Sequence, residues 1–272
     1  MNTYKYSHKQ LTEEFFKKSI FSGHVIIIKK SDEIFNIIKT TERYFIEVFD
    51  ENIANLRLGK LKPNKEVNKL FVILQNRIKY SKAIKNQFSL FLDRVGLLPS
   101  KTFIDMITLR FSPREGRKSI GNLMPTGAHR DTWASNIFNQ INFWFPIHNV
   151  SENNSIFLIP SVFNKKVLNN SNSWNYVDYK KKKINQSVPT TSLTFKNSEK
   201  IKFKLKKGEV LCFSGHHLHG SKVGDRERIN IETRIANRLD CQIYNIPKNI
   251  DSLSTVQKSS WFRNIKNGKK YS

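Results

Sequence analysis

Four of the chain's seven histidines fall in two places: His129 within Gly127-Ala128-His129-Arg130-Asp131-Thr132-Trp133, and His216, His217 and His219 within Phe213 to Ser221. Imidazole next to carboxylate raises the question of a metal. In an extended segment alternate side chains share a face, so His129 and Asp131 can present a nitrogen and an oxygen to one ion while Arg130 points away. A second histidine from a distant strand would complete a facial set of two imidazoles and one carboxylate. Such a set leaves three positions of an octahedral Fe(II) open for a bidentate cosubstrate and oxygen. His219, in the second cluster, stands 90 residues beyond His129.

Polar residues at strand spacing surround these positions. In Arg228-Ile229-Asn230-Ile231-Glu232-Thr233-Arg234 the period of two puts Arg228, Asn230, Glu232 and Arg234 on one face and the isoleucines on the other. Gln140, Asn142 and Trp144 alternate likewise, as do Thr108 and Arg110 on the run before them. A polar face on a strand inside a barrel marks a pocket, so Asn142 and Arg110 join the candidate site. Arg110, Arg114 and Arg117, around the loop that leads into the histidine motif, suggest an anionic substrate.

The order of these features resembles the Fe(II)/2-oxoglutarate-dependent oxygenases, most closely their phytanoyl-CoA-hydroxylase-like branch, over roughly residues 103 to 238. The features are H-x-D, a strand, Gly208-Glu209-Val210-Leu211-Cys212-Phe213-Ser214-Gly215 leading into His219, and then arginines on the next strand. In that family the distal histidine follows such a strand and precedes a small residue, here Gly220. The resemblance therefore implies His129, Asp131 and His219 as catalytic metal ligands, with His217 the fallback on the same strand face and His216 turned away. It implies a double-stranded β-helix (jelly roll, cupin-like) core, mainly β with flanking helices and preceded by an N-terminal helical region.

The resemblance also implies an arginine clamp on the distal carboxylate of 2-oxoglutarate. Arg226, Arg228 and Arg234 are available, and Arg228, nine residues after His219, sits where the strand starts. Asn230 replaces the serine that family members often carry. Arg234 then partners Asp131, the substrate or the other cosubstrate carboxylate. The implied reaction consumes O2, converts 2-oxoglutarate to succinate and CO2, and hydroxylates a C–H bond of a small, anionic molecule. Asp131 favours hydroxylation, because halogenating relatives lack that carboxylate. Two other readings stand beside it: an alkylated nucleic-acid demethylase, which Arg-x5-Arg also fits, and a catalytically silent cupin-like binding barrel.

The elements that must hold these residues divide near residue 100. From Lys9 to Leu98 apolar residues recur at helical spacing, with Ser31-Asp32-Glu33 as a helix start and β-branched Val25 to Ile28 as one strand. From residue 101 to 246 short strand-like runs follow: Phe103–Phe111, Asn139–Ile147, Ser155–Ile159, Ile201–Leu205, Glu209–Phe213, Leu218–Val223, Arg228–Asn237 and Cys241–Ile246. An insertion, 164–200, holds Lys180 to Lys183, which reads as a solvated loop, and 247–272 reads as a loosely docked extension. All 272 residues are expected to form one oxygenase domain.

Lys and Arg number 47 against 22 Asp and Glu, a net charge of +25 that suits anionic ligands or nucleic acid and that biased composition alone also produces. Only Cys212 and Cys241 occur, neither in a CxxC pair, which argues against a disulfide scaffold and for a reducing, cytoplasmic setting. No apolar h-region opens the sequence and no run reaches membrane-spanning length, so no membrane partner is expected.

Overall fold

The computed structural model describes residues 1–7, 11–57, 62–117, 119–181 and 183–271. Lys9, where the helical spacing begins, and Lys182, within the lysine run, lie outside the described residues.

The first hundred residues carry strands β1 (Thr3–Tyr6) and β2 (Val25–Ile28) and helices α1 (Glu13–Phe21), α2 (Asp32–Phe49), α3 (Ile53–Arg57), α4 (Lys65–Tyr80) and α5 (Lys82–Arg94). The helix starts follow capping chemistry: Thr12, Ser31, Asn64 and Ser81 each accept a backbone N–H of the first turn with a side-chain oxygen. In α2, Ile34, Ile37, Ile38, Phe45 and Phe49 form the buried stripe. That helix ends at Asp50, which adopts the left-handed conformation.

Strands β3 (Phe103–Ile104), β4 (Thr108–Ser112), β5 (Ile141–Pro146), β6 (Ile156–Leu158), β7 (Ile201–Lys202), β8 (Val210–Ser214), β9 (His219–Ser221), β10 (Arg228–Ala236) and β11 (Arg263–Asn264) follow, with short helices α6 (Asp131–Ser135), α7 (Tyr176–Lys180) and α8 (Asp240–Ile243) between them. An eight-stranded sheet has the order β1-β2-β8-β5-β10-β3-β11, with β4 also pairing with β10. A three-stranded sheet has the order β7-β6-β9.

The large sheet is covered on both faces, which explains why β2 and β5 are buried throughout and apolar except at Asn142. Ile26, Ile28, Phe143, Val210, Cys212, Ile229 and Ile231 pack with the N-terminal helices. Val25, Ile27, Trp144, Leu211 and Phe213, of opposite parity, pack against Ile156 and Leu158 of the small sheet. The space that remains between the two sheets is where the polar face of β10 lies. Among the described residues no helix is long and apolar enough to cross a membrane.

Three sequence expectations change. Phe103–Phe111 is two strands, because β3 and β4 pair with separate stretches of β10. Cys241–Ile246 starts as the helical turn α8, since so short an apolar run carries too little periodicity to separate helix from strand. The C-terminal extension is firmly docked: β11 adds an edge to the large sheet, Phe262 is fully buried, and Asp251 accepts hydrogen bonds from Arg130, Trp133 and the backbone of Val167.

Candidate functional site

His129, Asp131 and His219 are buried together, with one ligand atom of each lying within 4.8 Å of the others. His129 Nε2 is 3.8 Å from Asp131 Oδ1, and His219 Nε2 is 3.5 Å from Asp131 Oδ2. The two imidazoles are side by side because their backbones exchange hydrogen bonds, His129 N–H to His219 O at 2.8 Å and the reverse at 2.9 Å. Gly220 makes this approach possible, since a Cβ there would lie 2.8 Å from the Phe157 ring and 3.3 Å from the Ala128 backbone.

The segment from His129 to Asp131 is extended only as far as Arg130. His129 has strand-like pairing, Arg130 is the extended N-cap residue, and Asp131 opens α6. The extended backbone at Arg130 keeps His129 and Asp131 on one face, as alternation predicts, and the helix begins only at Asp131 itself. Arg130 does point away, but into protein: it donates to Asp251 and to the carbonyls of Val162, Phe163, Lys165 and His216. This buried guanidinium, five partners deep, anchors the backbone between His129 and Asp131.

The donor chemistry fits a divalent metal that takes nitrogen and oxygen ligands. The Nδ1 atoms of His129 and His219 sit against the carbonyls of Gly127 and His217, at 2.8 and 3.0 Å, so Nδ1 carries the proton and Nε2 presents a lone pair to the centre. Burial, and then the His219 ring, push His129 down to about 3, so it is neutral at physiological pH. Burial would raise Asp131, but Arg234, then His219 and His129, hold it down at about 2. Asp131 also accepts from Asn142 Nδ2. Two imidazoles that turn Nε2 to the centre and one carboxylate result.

Arg234 lies 3.3 Å from Asp131 through Nη1 and pairs with Asp105 through Nη2. Asp105 was not foreseen, and no motif marks it. Burial opposes the charge of Arg234, but Asp105 and then Asp131 outweigh it and raise the pKa. Arg228, 2% exposed, has a different setting. Its Nη1 donates to the carbonyls of Asn154, Ser155 and Lys222, its Nη2 to Ser221 Oγ at 2.9 Å and its Nε to Asn230 Oδ1 at 3.2 Å. Burial lowers it to about 10, offset only by the more distant Glu232. The remaining clamp alternative, Arg226, is exposed and lies 3.9 Å from Asp225.

Both arginines, Asn230, Asn142 and the three ligand residues line one cavity of about 830 Å³ between the sheets. Trp144 is in its wall and lies under the Arg228 guanidinium. Gln140 is not in the wall; it packs against Gly215, where a Cβ would lie 2.4 Å from its side chain. The turn over residues 215–217 removes the extended geometry that would have kept His217 on the face of His219. His217 instead contacts the Gly23 and Ser214 carbonyls, each at 3.2 Å, and His216 packs on Phe163. The arginines proposed as an anion-attracting cluster are paired: Arg110 with Glu232 at 2.6 Å, and Arg117 and Arg114 with Glu227 at 3.1 and 4.0 Å. Their acids lie more than a hundred residues away, so sequence spacing cannot show them.

No protein-family model and no curated protein matches the sequence. Among solved structures the chain is similar to EvdO2 from Micromonospora carbonacea var. aurantiaca complexed with 2-oxoglutarate, at 12% identity and a TM-score of 0.47 over 83% of this chain and 91% of that one. It is similar to the epimerase SnoN in complex with Fe3+, alpha ketoglutarate and nogalamycin RO, at 11% identity and a TM-score of 0.46 over 90% and 94%. The non-heme monooxygenase ThoJ, in its apo form, shows 11% identity and a TM-score of 0.43 over 82% and 76%.

Proposed function

We propose that the chain is a non-haem Fe(II)- and 2-oxoglutarate-dependent dioxygenase of the phytanoyl-CoA-hydroxylase-like branch, with one oxygenase domain built on a double-stranded β-helix core. In this reading it hydroxylates a small, anionic molecule and releases succinate and CO2. One observation carries the reading: two imidazoles and a carboxylate share a cavity with a buried arginine that has no acidic hydrogen-bond partner among the described residues. His129, Asp131 and His219 would hold the iron, which supplies the redox chemistry that activates O2.

The chain's own residues have separable tasks. The Gly127 and His217 carbonyls hold Nδ1 of the two histidines, so each ring presents Nε2 to the metal site. Arg234 and Asn142 keep Asp131 ionised and oriented. Arg228 holds only neutral acceptors, so a dicarboxylate gives it a charge-assisted partner that the fold withholds. Asn230 Nδ2 lies 3.4 Å from Glu232 and can turn to the same ligand. Phe111, Trp144 and Phe213 make the wall dry enough to strengthen these contacts. A five-carbon diacid fills a fraction of 830 Å³, and the rest admits a second reactant. The free thiols Cys212 and Cys241 suit a reducing cytoplasm.

The test is succinate formation by anaerobically purified protein given Fe(II), 2-oxoglutarate and O2. Formation that requires all three supports the reading, and its absence in a protein that also fails to bind Mn(II) and 2-oxoglutarate overturns it. His219→Ala should remove metal binding. If His217→Ala removes it instead, the ligand set is wrong, and if a methylated oligonucleotide is the best substrate the demethylase reading replaces this one.

A further inference from the structure

The three acidic groups on the cavity wall, Asp105, Asp131 and Glu232, are each bonded to Arg234 or Arg110. Five wall cations besides Arg228 have no acidic partner among the described residues: Lys79, Lys82, Lys85, Lys180 and Arg263. They come from four different elements. Lys79 is in the last turn of α4, and Lys82 and Lys85 are in the first turn of α5, on either side of the shared cap residue Ser81. Lys180 ends α7 in the insertion, and Arg263 starts β11 in the C-terminal extension. Lys82, Lys180 and Arg263 are exposed and the other two half-buried, which puts this group at the solvent end of the cavity, whereas Arg228 is at its closed end.

Aromatic rings stand among these cations. Tyr176 and Tyr179 of α7 and Trp261 beside β11 line the same wall, and Tyr176 contacts Trp261 with ring centroids 5.3 Å apart. Lys180 lies over the Tyr176 ring, and Arg234 lies over Trp261 on its way to Asp131. The insertion and the tail thus meet ring to ring at the mouth and reach inward to the ligand residues. The buried Lys17 and the half-buried Lys207 have acidic partners, whereas these five cations, from four elements, face one opening with none among the described residues.

Resting on the oxygenase reading, we propose that this rim is the substrate's recognition site and that it takes a planar aromatic molecule carrying a phosphate, sulfate or carboxylate group. The anionic group sits against Lys79, Lys82, Lys85 and Lys180, and the ring system lies against Tyr176, Tyr179 and Trp261. An aromatic face offers stacking area while the ammonium groups concentrate the anion, so the two contributions depend on different residues and can be separated.

The test uses the full-length protein and isothermal titration with 2-naphthyl phosphate, 2-naphthol and inorganic phosphate as probes. The aryl phosphate should bind at least tenfold tighter than either fragment. Lys79→Gln, Lys82→Gln and Lys85→Gln combined should cost at least tenfold for 2-naphthyl phosphate and leave 2-naphthol unchanged. Lys180→Gln, on an independent element, should cost severalfold in the same direction, which guards against a fold defect in the triple variant. Trp261→Ala should weaken both aryl probes. Equal binding of the phosphate and the alcohol, or indifference to both sets of lysine changes, overturns the proposal. So does a single-stranded oligonucleotide that binds in preference to the aryl phosphate, which would make the rim a nucleic-acid surface. Titration of Mn(II) and 2-oxoglutarate into the same preparations separates the two readings: if they bind and the aryl phosphate does not, the rim assignment alone fails; if they do not bind, the oxygenase reading fails whatever the rim shows.

Discussion

The two ends of β10 carry the same residue type on the same face of one strand and give it opposite surroundings. Arg234 lies against two carboxylates, Asp105 and Asp131. Arg228, six residues earlier, is buried among three carbonyls, a hydroxyl and an amide. The first is a neutralised brace that fixes an anionic neighbour. The second is a cation held in place by neutral groups, which suits the proposed clamp, because a bound anion would replace weaker partners without first breaking an ion pair. Charge on a strand therefore says little about function until its counter-charges are located.

The sharpest way to break this contrast is Arg228→Ala. Loss of a buried charge-assisted fork should cost on the order of 2–5 kcal/mol, roughly 30-fold to several-thousand-fold in 2-oxoglutarate Kd, with Mn(II) affinity intact. Arg228→Lys should recover only part of the loss, since a single ammonium cannot reproduce a bidentate contact. Titration calorimetry with Mn(II)-loaded protein reads both. Arg234→Ala should do the opposite, weakening Mn(II) about 10–100-fold through the freed Asp131 carboxylate while changing the 2-oxoglutarate Kd less than Arg228→Ala does. The reverse pattern would make Arg234 the clamp and Arg228 a structural cation.

The face of β10 was readable from sequence because a period of two with Ile229 and Ile231 on the other side admits one pairing of faces, and the structure sends those isoleucines to the helices. What spacing could not supply was long-range pairing: Glu232 neutralises Arg110 from 122 residues away, and Arg234 meets Asp105 from 129 away. The same limit hid the docking of the tail, which depends on Asp251 meeting Arg130 across 121 residues. His129 and Asp131 were legible as residue types. Their shared face was legible too, since Arg130 between them is extended, but the start of α6 at Asp131 was not, because only tertiary packing decides that.

The histidines repeat the contrast between cavity and core. His216 lies outside the cavity, packed on Phe163, and burial followed by the Arg130 charge pushes it down to about 3. Its unfolded value is near 6.5, so below that pH the unfolded chain binds the extra proton and stability falls with pH until about 3. Lowering the pH from 6.5 to 5.5 should cost about 1 kcal/mol for this group, a drop of roughly 2–4 °C in Tm of the metal-free protein. His216→Gln, which cannot titrate, should flatten that part of the Tm profile. An unchanged slope would mean that other groups set the acid limit.

The smallest effect expected is at Asn142, and it tests whether Arg234 braces Asp131 alone. Asn142 Nδ2 donates to Asp131, while its buried Oδ1 has no hydrogen-bond partner among the described residues. Asn142→Ala removes the donor and the orphaned acceptor together, so the lost hydrogen bond to a charged group, worth about 1.5–3 kcal/mol by itself, is offset by the relief of an unsatisfied carbonyl. About 1 kcal/mol should remain, or roughly a fivefold rise in Mn(II) Kd, well below that of Arg234→Ala. Because Asn142 and Arg234 approach different oxygens of the carboxylate, Oδ2 and Oδ1, the double variant should lose more than the two single losses combined if each residue compensates for the other. Simple additivity would show that the two hold Asp131 independently, and a loss at Asn142 equal to that at Arg234 would mean that the amide shares the brace.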